Sequence, residues 1–118
     1  MRNGFNIIIG GKDFEPAKFI TERLEPQHVQ TTGEDRFLEF NDFEEGSYSL
    51  DMVAEAMGLL EIHRDYFATF KDEKTIEYKV INFFIEHEYW SLDLSMHQID
   101  LLHELRFIIC FTFTGPEK

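Results

Sequence analysis

The sequence predicts a single α+β domain, with a mostly antiparallel sheet of four or five strands and about three helices in the order β-α-β-β-α-β-α-β. Three observations carry this. The stretch Phe5 to Ile9 is continuously apolar apart from Asn6 and is stopped by Gly10-Gly11, the signature of a short strand buried on both faces. From Ser95 to Thr114 the apolar period changes from that of a helix to strict alternation, so a helix runs into a strand. The 118 residues suit one domain, and the 13 phenylalanines can fill its core without disulfides or metal.

After the first strand, Pro16 occupies a tolerated first-turn position with Asp13 and Glu15 beside it, and Phe19, Ile20 and Leu24 form a stripe. A helix is therefore expected, ending before Pro26. Gln27 to Thr32 and Arg36 to Phe43 flank Gly33 as two antiparallel strands, the first an edge. The second places Leu38 and Phe40 on one face and Phe37 and Glu39 on the other. Ser49 to about Phe70 reads as the longest helix, capped by Ser49, with Val53, Met57, Leu60 and Phe67 as its stripe and Gly58 marking a bend or close crossing.

Thr75 to Tyr89 reads as a strand whose inward set changes from Ile76, Tyr78 and Val80 to Ile81, Phe83 and Ile85, which implies a bulge near Val80. Ser95 and Gln98 have capping-box spacing, and Ile99, Leu102 and Leu105, widened by Leu101, supply the buried stripe of the last helix. In the final strand Phe107, Ile109, Phe111 and Phe113 share one face and Ile108, Cys110, Thr112 and Thr114 the other, so its start is expected to be central and its end partly wet. Gly115-Pro116 terminates it.

The net charge of −12 argues against nucleic acid and anionic membrane, both of which require a basic footprint. It favours a basic protein partner, although acidity also serves solubility alone. The lone Cys110 within a strand pattern points to a reducing compartment and a structural thiol. No signal-peptide pattern or membrane-length apolar run is present, so a cytoplasmic protein is expected.

The motifs for chemistry are weak. Gly10-Gly11 has neither the spaced glycines of a dinucleotide site nor the lysine of a P-loop. His63-Arg64-Asp65-Tyr66 are consecutive and hence splayed around a helix. Glu86 and Glu88 share a strand face without His87, His97 and His103 fall on different helix faces, and no calcium-loop spacing exists. The expectation is a non-enzyme with no cofactor and no metal.

The acids are concentrated. Glu34, Asp35, Glu39, Asp42, Glu44, Glu45, Asp51 and Glu55 are offset within their segment only by Arg36. With Tyr48 as a candidate aromatic anchor they form the expected partner-binding segment, the alternative being a solvated face. Two other readings remain open: a small-ligand pocket or small enzyme near Glu86, His87, Tyr89 and Trp90, and an oligomeric module, such as a homodimer, pairing through an edge strand.

Ile8-Ile9-Gly10, Asp13-Phe14-Glu15-Pro16 and Ile20 near the start, with Leu92-Asp93-Leu94-Ser95 and Leu101-Leu102 near the end, resemble a family of small uncharacterised bacterial α+β domains. That family usually has a leucine-glycine step after the first helix, where this chain has Arg23-Leu24-Glu25-Pro26. The likeness covers the two ends and implies a fold, with no active residues. As a class, the small acidic chain is similar to immunity proteins of bacterial toxin systems. This resemblance implies binding and neutralisation of a cognate toxin domain, a basic nuclease being one candidate.

Overall fold

The computed structural model describes residues 4–43, 52–85 and 93–113. Five strands form one sheet in the order β2-β3-β1-β4-β5, where β1 is Gly4–Gly11, β2 His28–Gln30, β3 Arg36–Phe43, β4 Tyr78–Ile85 and β5 Ile108–Phe113. Strand β1 lies at the centre, antiparallel to both β3 and β4, and seven of its eight residues are buried. Its apolar run is therefore explained by position. The pairs β1–β3, β1–β4 and β2–β3 are antiparallel, whereas β4–β5 is parallel, so the sheet is mixed. Parallel neighbours need a crossover, and helix α3 lies between them in the chain.

The helices α1 (Met52–Ile62), α2 (Arg64–Ala68) and α3 (Met96–Leu105) supply the second layer. Their buried residues, including Met52, Ala56, Leu60, Phe67, Leu101 and Leu105, join one core with Ile7 and Ile9 of β1, Leu38 and Phe40 of β3, and Ile81, Phe83 and Ile85 of β4. Phe14, Phe40, Phe67, Phe70 and Phe83 are each less than 2% exposed, and each contributes about 2–3 kcal/mol of burial before entropy is counted.

Several expectations are corrected. The helix after β1 is a single 3-10 turn, Pro16–Phe19, and Ile20 is 53% exposed. The Phe19 carbonyl, which would accept the next helical bond, takes the Tyr66 hydroxyl instead at 2.7 Å, and the Arg23 amide bonds the Thr21 side chain. Phe19 stacks on Phe70 with ring centres 4.5 Å apart, so tertiary contact holds the chain where a longer helix would lift it away.

The long helix divides at His63, whose backbone (φ −107°, ψ 30°) leaves the helical region. Among the described residues Gly58 marks no close crossing, since none of their atoms lies within 4 Å of where its Cβ would be. Strand β4 pairs with β1 in unbroken register, without a bulge, and alternates regularly with Lys79, Ile81, Phe83 and Ile85 inward. Tyr78 and Val80 thus face away from the helices.

Helix α3 has the expected capping box, with the Ser95 oxygen accepting the Gln98 amide at 3.2 Å and Gln98 reaching back to the Ser95 amide at 2.9 Å. Its buried stripe is rotated, however: Leu101, Leu102 and Leu105 are buried and Ile99 is 45% exposed. Strand β5 is an edge, not central, with Ile108 61% exposed and the Cys110 thiol at the surface rather than structural.

Candidate partner-binding surface

Because the described helices all pack on one side, the other side of the sheet presents its own rows of side chains. Register defines them. Glu39 of β3, Ile8 of β1, Val80 of β4 and Ile108 of β5 form one row, with His28 of β2 opposite Glu39. Phe37, Gly10 and Tyr78 form the next, with Gln30 opposite Phe37. Asn6 and Asn82 are paired on the other side of the Ile8 row.

A hydrogen-bond chain crosses three strands here. The Asn82 amide donates to Asn6 Oδ1 at 2.8 Å, and the Asn6 amide donates to the Glu39 carboxylate at 2.9 Å. Asn6 is 7% exposed, so these bonds offset the cost of burying its amide and hold Glu39 in one orientation.

The aromatic row depends on Gly10. A Cβ there would lie 2.6 Å from the Arg36 carbonyl oxygen, 2.7 Å from Phe37 Cβ and 2.7 Å from the Tyr78 hydroxyl. The glycine thus lets Tyr78 cross the central strand towards Phe37. The His28 ring, from the neighbouring row, packs diagonally beside Phe37, the ring centres 5.3 Å apart. Phe37 and Tyr78 are half-buried, each leaving part of a ring in solvent.

Acids rim this row. The β2–β3 turn is shaped by Gly33 in the left-handed region (φ 102°) and closed by the Gln30 amide on the Asp35 carbonyl at 2.7 Å, leaving Glu34 and Asp35 exposed. Burial, then Asp35, then Glu77 raise the Tyr78 pKa, which places the Asp35 charge within electrostatic reach of the aromatic row.

Of the acids expected in the binding segment, Glu34, Asp35 and Glu39 are thereby gathered around one end of the open face. Glu55 lies in the first turn of α1, in the layer against the opposite face. Asp42 belongs to β3 at the register position opposite Phe5. Glu44, Glu45, Tyr48 and Asp51 lie outside the described residues, as do Glu86, His87, Tyr89 and Trp90 of the rival pocket. Phe37, Tyr78, Asn6 and Asn82 were not anticipated as site residues, and the two asparagines in otherwise apolar strands were the signal that could have found them. The His63 to Tyr66 tetrad is divided: Arg64 grips Glu104 in a two-pronged bond at 2.6 and 2.7 Å, while Tyr66 turns inward to Phe19.

No family model, curated protein or solved structure matches this chain. No group of three or more described His, Cys, Asp or Glu side chains could hold a metal ion. No helix among the described residues is long and apolar enough to cross a membrane.

Proposed function

We propose that this chain is a binding protein of the immunity type, which acts in the cytoplasm by covering a cognate toxin domain with a basic surface. The observation that supports it is the pairing of half-buried rings, Phe37 and Tyr78, with the acids Glu34, Asp35 and Glu39 on a sheet face free of the described helices. Aromatic groups that leave water on docking supply affinity, and surrounding charge supplies rate and selectivity. The overall charge of −12 adds long-range attraction for a basic partner.

The test is capture from the native lysate with immobilised protein, followed by binding kinetics and a toxicity assay on the purified retained protein. Phe37→Ala with Tyr78→Ala is expected to weaken binding by about 30-fold or more through faster dissociation. Glu34→Gln, Asp35→Asn and Glu39→Gln together should slow association by about tenfold at ~50 mM salt and far less at ~500 mM. A captured protein that keeps its toxicity at equimolar complex, or that binds both variants like the wild type, overturns the reading.

A second reading is supported by β5. It is an edge strand with an exposed Ile108 and an exposed Cys110, a combination suited to pairing with β5 of a second copy. Light scattering that returns a single chain mass across micromolar concentrations would dispose of that homodimer.

A further inference from the structure

The chain has 11 lysines and arginines against 23 acids, yet Lys71, Lys74, Lys79 and Arg106 line one cleft. It lies at the end of the sheet where the parallel strands β4 and β5 both begin, between the 71–77 turn and the segment that joins α3 to β5. The cleft encloses about 300 Å³ and opens into a groove of about 750 Å³ that shares Lys71 and Arg106 and passes His103 and Phe107.

Two carboxylates share the cleft with these four cations: Glu73, which accepts the Thr75 hydroxyl at 2.9 Å, and Glu77, which accepts the Lys12 amide at 3.2 Å. Glu104, in the adjoining groove, is held by Arg64. Among the described residues no ion pair of 4.0 Å or less involves Lys71, Lys74, Lys79 or Arg106.

Lys79 is only 8% exposed; its ammonium donates to the Leu105 carbonyl at the end of α3 and lies 5.5 Å from the centre of the Phe107 ring. Burial lowers its pKa, and Arg106 and then Lys71 lower it further, so both bring positive charge to bear on Lys79. Arg106 also holds a left-handed backbone (φ 59°, ψ 48°), at a helix end where glycine is the usual residue. The like charge acting on Lys79 and the left-handed backbone of Arg106 are both unfavourable, and an anion in the cleft would relieve the first.

We propose that this cleft is a binding site for a small phosphate-bearing ligand no larger than a mononucleotide. Phosphate oxygens would meet Lys71, Lys79 and Arg106, while the adjoining groove offers the Phe107 and Ile108 side for a planar or apolar body. Size selects the class. A nucleic-acid strand would run beyond the cleft into the field of a protein of charge −12, whereas a small anion is held by the local cations alone.

The full chain would be titrated calorimetrically with ADP, pyrophosphate and inorganic phosphate at ~100 mM chloride, with a short single-stranded oligonucleotide in parallel. Arg106→Gly is the decisive variant, because glycine suits the left-handed backbone and the fold should gain a few degrees in Tm. It is expected to lose ADP and pyrophosphate affinity by about tenfold or more, as is Lys71→Ala. ADP binding tighter than inorganic phosphate supports an occupied groove, and pyrophosphate equal to ADP supports the phosphate subsite alone. No saturable binding of any of the three at millimolar concentration, tighter binding of the oligonucleotide than of ADP, or an Arg106→Gly variant that binds like the wild type overturns the proposal.

Discussion

Gly10→Ala tests the geometry of the open face most directly. The new methyl would meet the Arg36 carbonyl oxygen at 2.6 Å, Phe37 Cβ at 2.7 Å and the Tyr78 hydroxyl at 2.7 Å. The tyrosine can swing away, but the other two atoms belong to or are fixed on β3, which is hydrogen-bonded to β1 along its length. Relief requires a shift of most of an ångström in a paired strand, at the scale of overpacking, about 1–3 kcal/mol. Replacing glycine also stiffens the unfolded chain, which returns about 0.5–1 kcal/mol. The net is a loss of about 1–2 kcal/mol, or roughly 4–8 °C in Tm for a domain of this size.

Gly58→Ala is the matched control. Its methyl meets nothing within 4 Å and it lies inside α1, so the same substitution should stabilise by about 0.5–1 kcal/mol. Both variants change the unfolded chain in the same way, and a difference in sign therefore reports native sterics. Urea titration at neutral pH with a common slope is the assay. A Gly10→Ala protein as stable as the wild type, or more so, would refute the close approach of β3 to Gly10. A milder loss with Tyr78 displaced should still weaken partner binding, because the aromatic row is then no longer continuous.

Two further outcomes are expected. Burial raises the Tyr66 phenol from 10.0 to about 12, so between those values the unfolded state holds fewer protons and stability falls as pH rises; discounted for its partial exposure, the loss is ~1 kcal/mol. Tyr66→Phe should be less stable than the wild type near pH 8, by about 1 kcal/mol for the orphaned Phe19 carbonyl, and that gap should shrink by about half by pH 11; a gap that stays constant in urea titrations would refute the assignment. Ser95→Ala removes one half of the capping box of α3 and should cost about 1 kcal/mol, read as a lower urea midpoint at unchanged slope.

The open face was half legible. Simple alternation puts Phe37 and Glu39 on one side of β3, and that side is the one the described helices leave free. Alternation alone directs Tyr78 inward, because Ile76, Tyr78 and Val80 make as good an apolar set as Ile81, Phe83 and Ile85. A period of two offers both faces of β4 and cannot choose between them. The choice comes from α1 and α3, which lie over the Ile81 face and bring Lys79 inward to the end of α3, where its ammonium finds the Leu105 carbonyl. The basic cleft was invisible for a related reason. Lys71, Lys74, Lys79 and Arg106 are up to 35 positions apart in an acidic chain, and only the parallel pairing of β5 with β4 brings Arg106 beside the others.

By itself the sequence determined what local chemistry determines: the order of the strands with helical segments before β4 and β5, the single domain, the capping box at Ser95, the double-sided burial of β1 and the acidity that disfavours polyanionic partners. Tertiary structure decided the rest. It shortened the first helix by giving the Phe19 carbonyl to Tyr66, set β5 parallel at the edge with its thiol exposed, and selected the sheet face that the helices cover. Helix caps and hydrophobic periods act over a few residues and can be read in order. Strand neighbours, faces and charge clusters are settled by contacts between distant segments, where several arrangements satisfy the same local pattern and only the packing of the whole chain separates them.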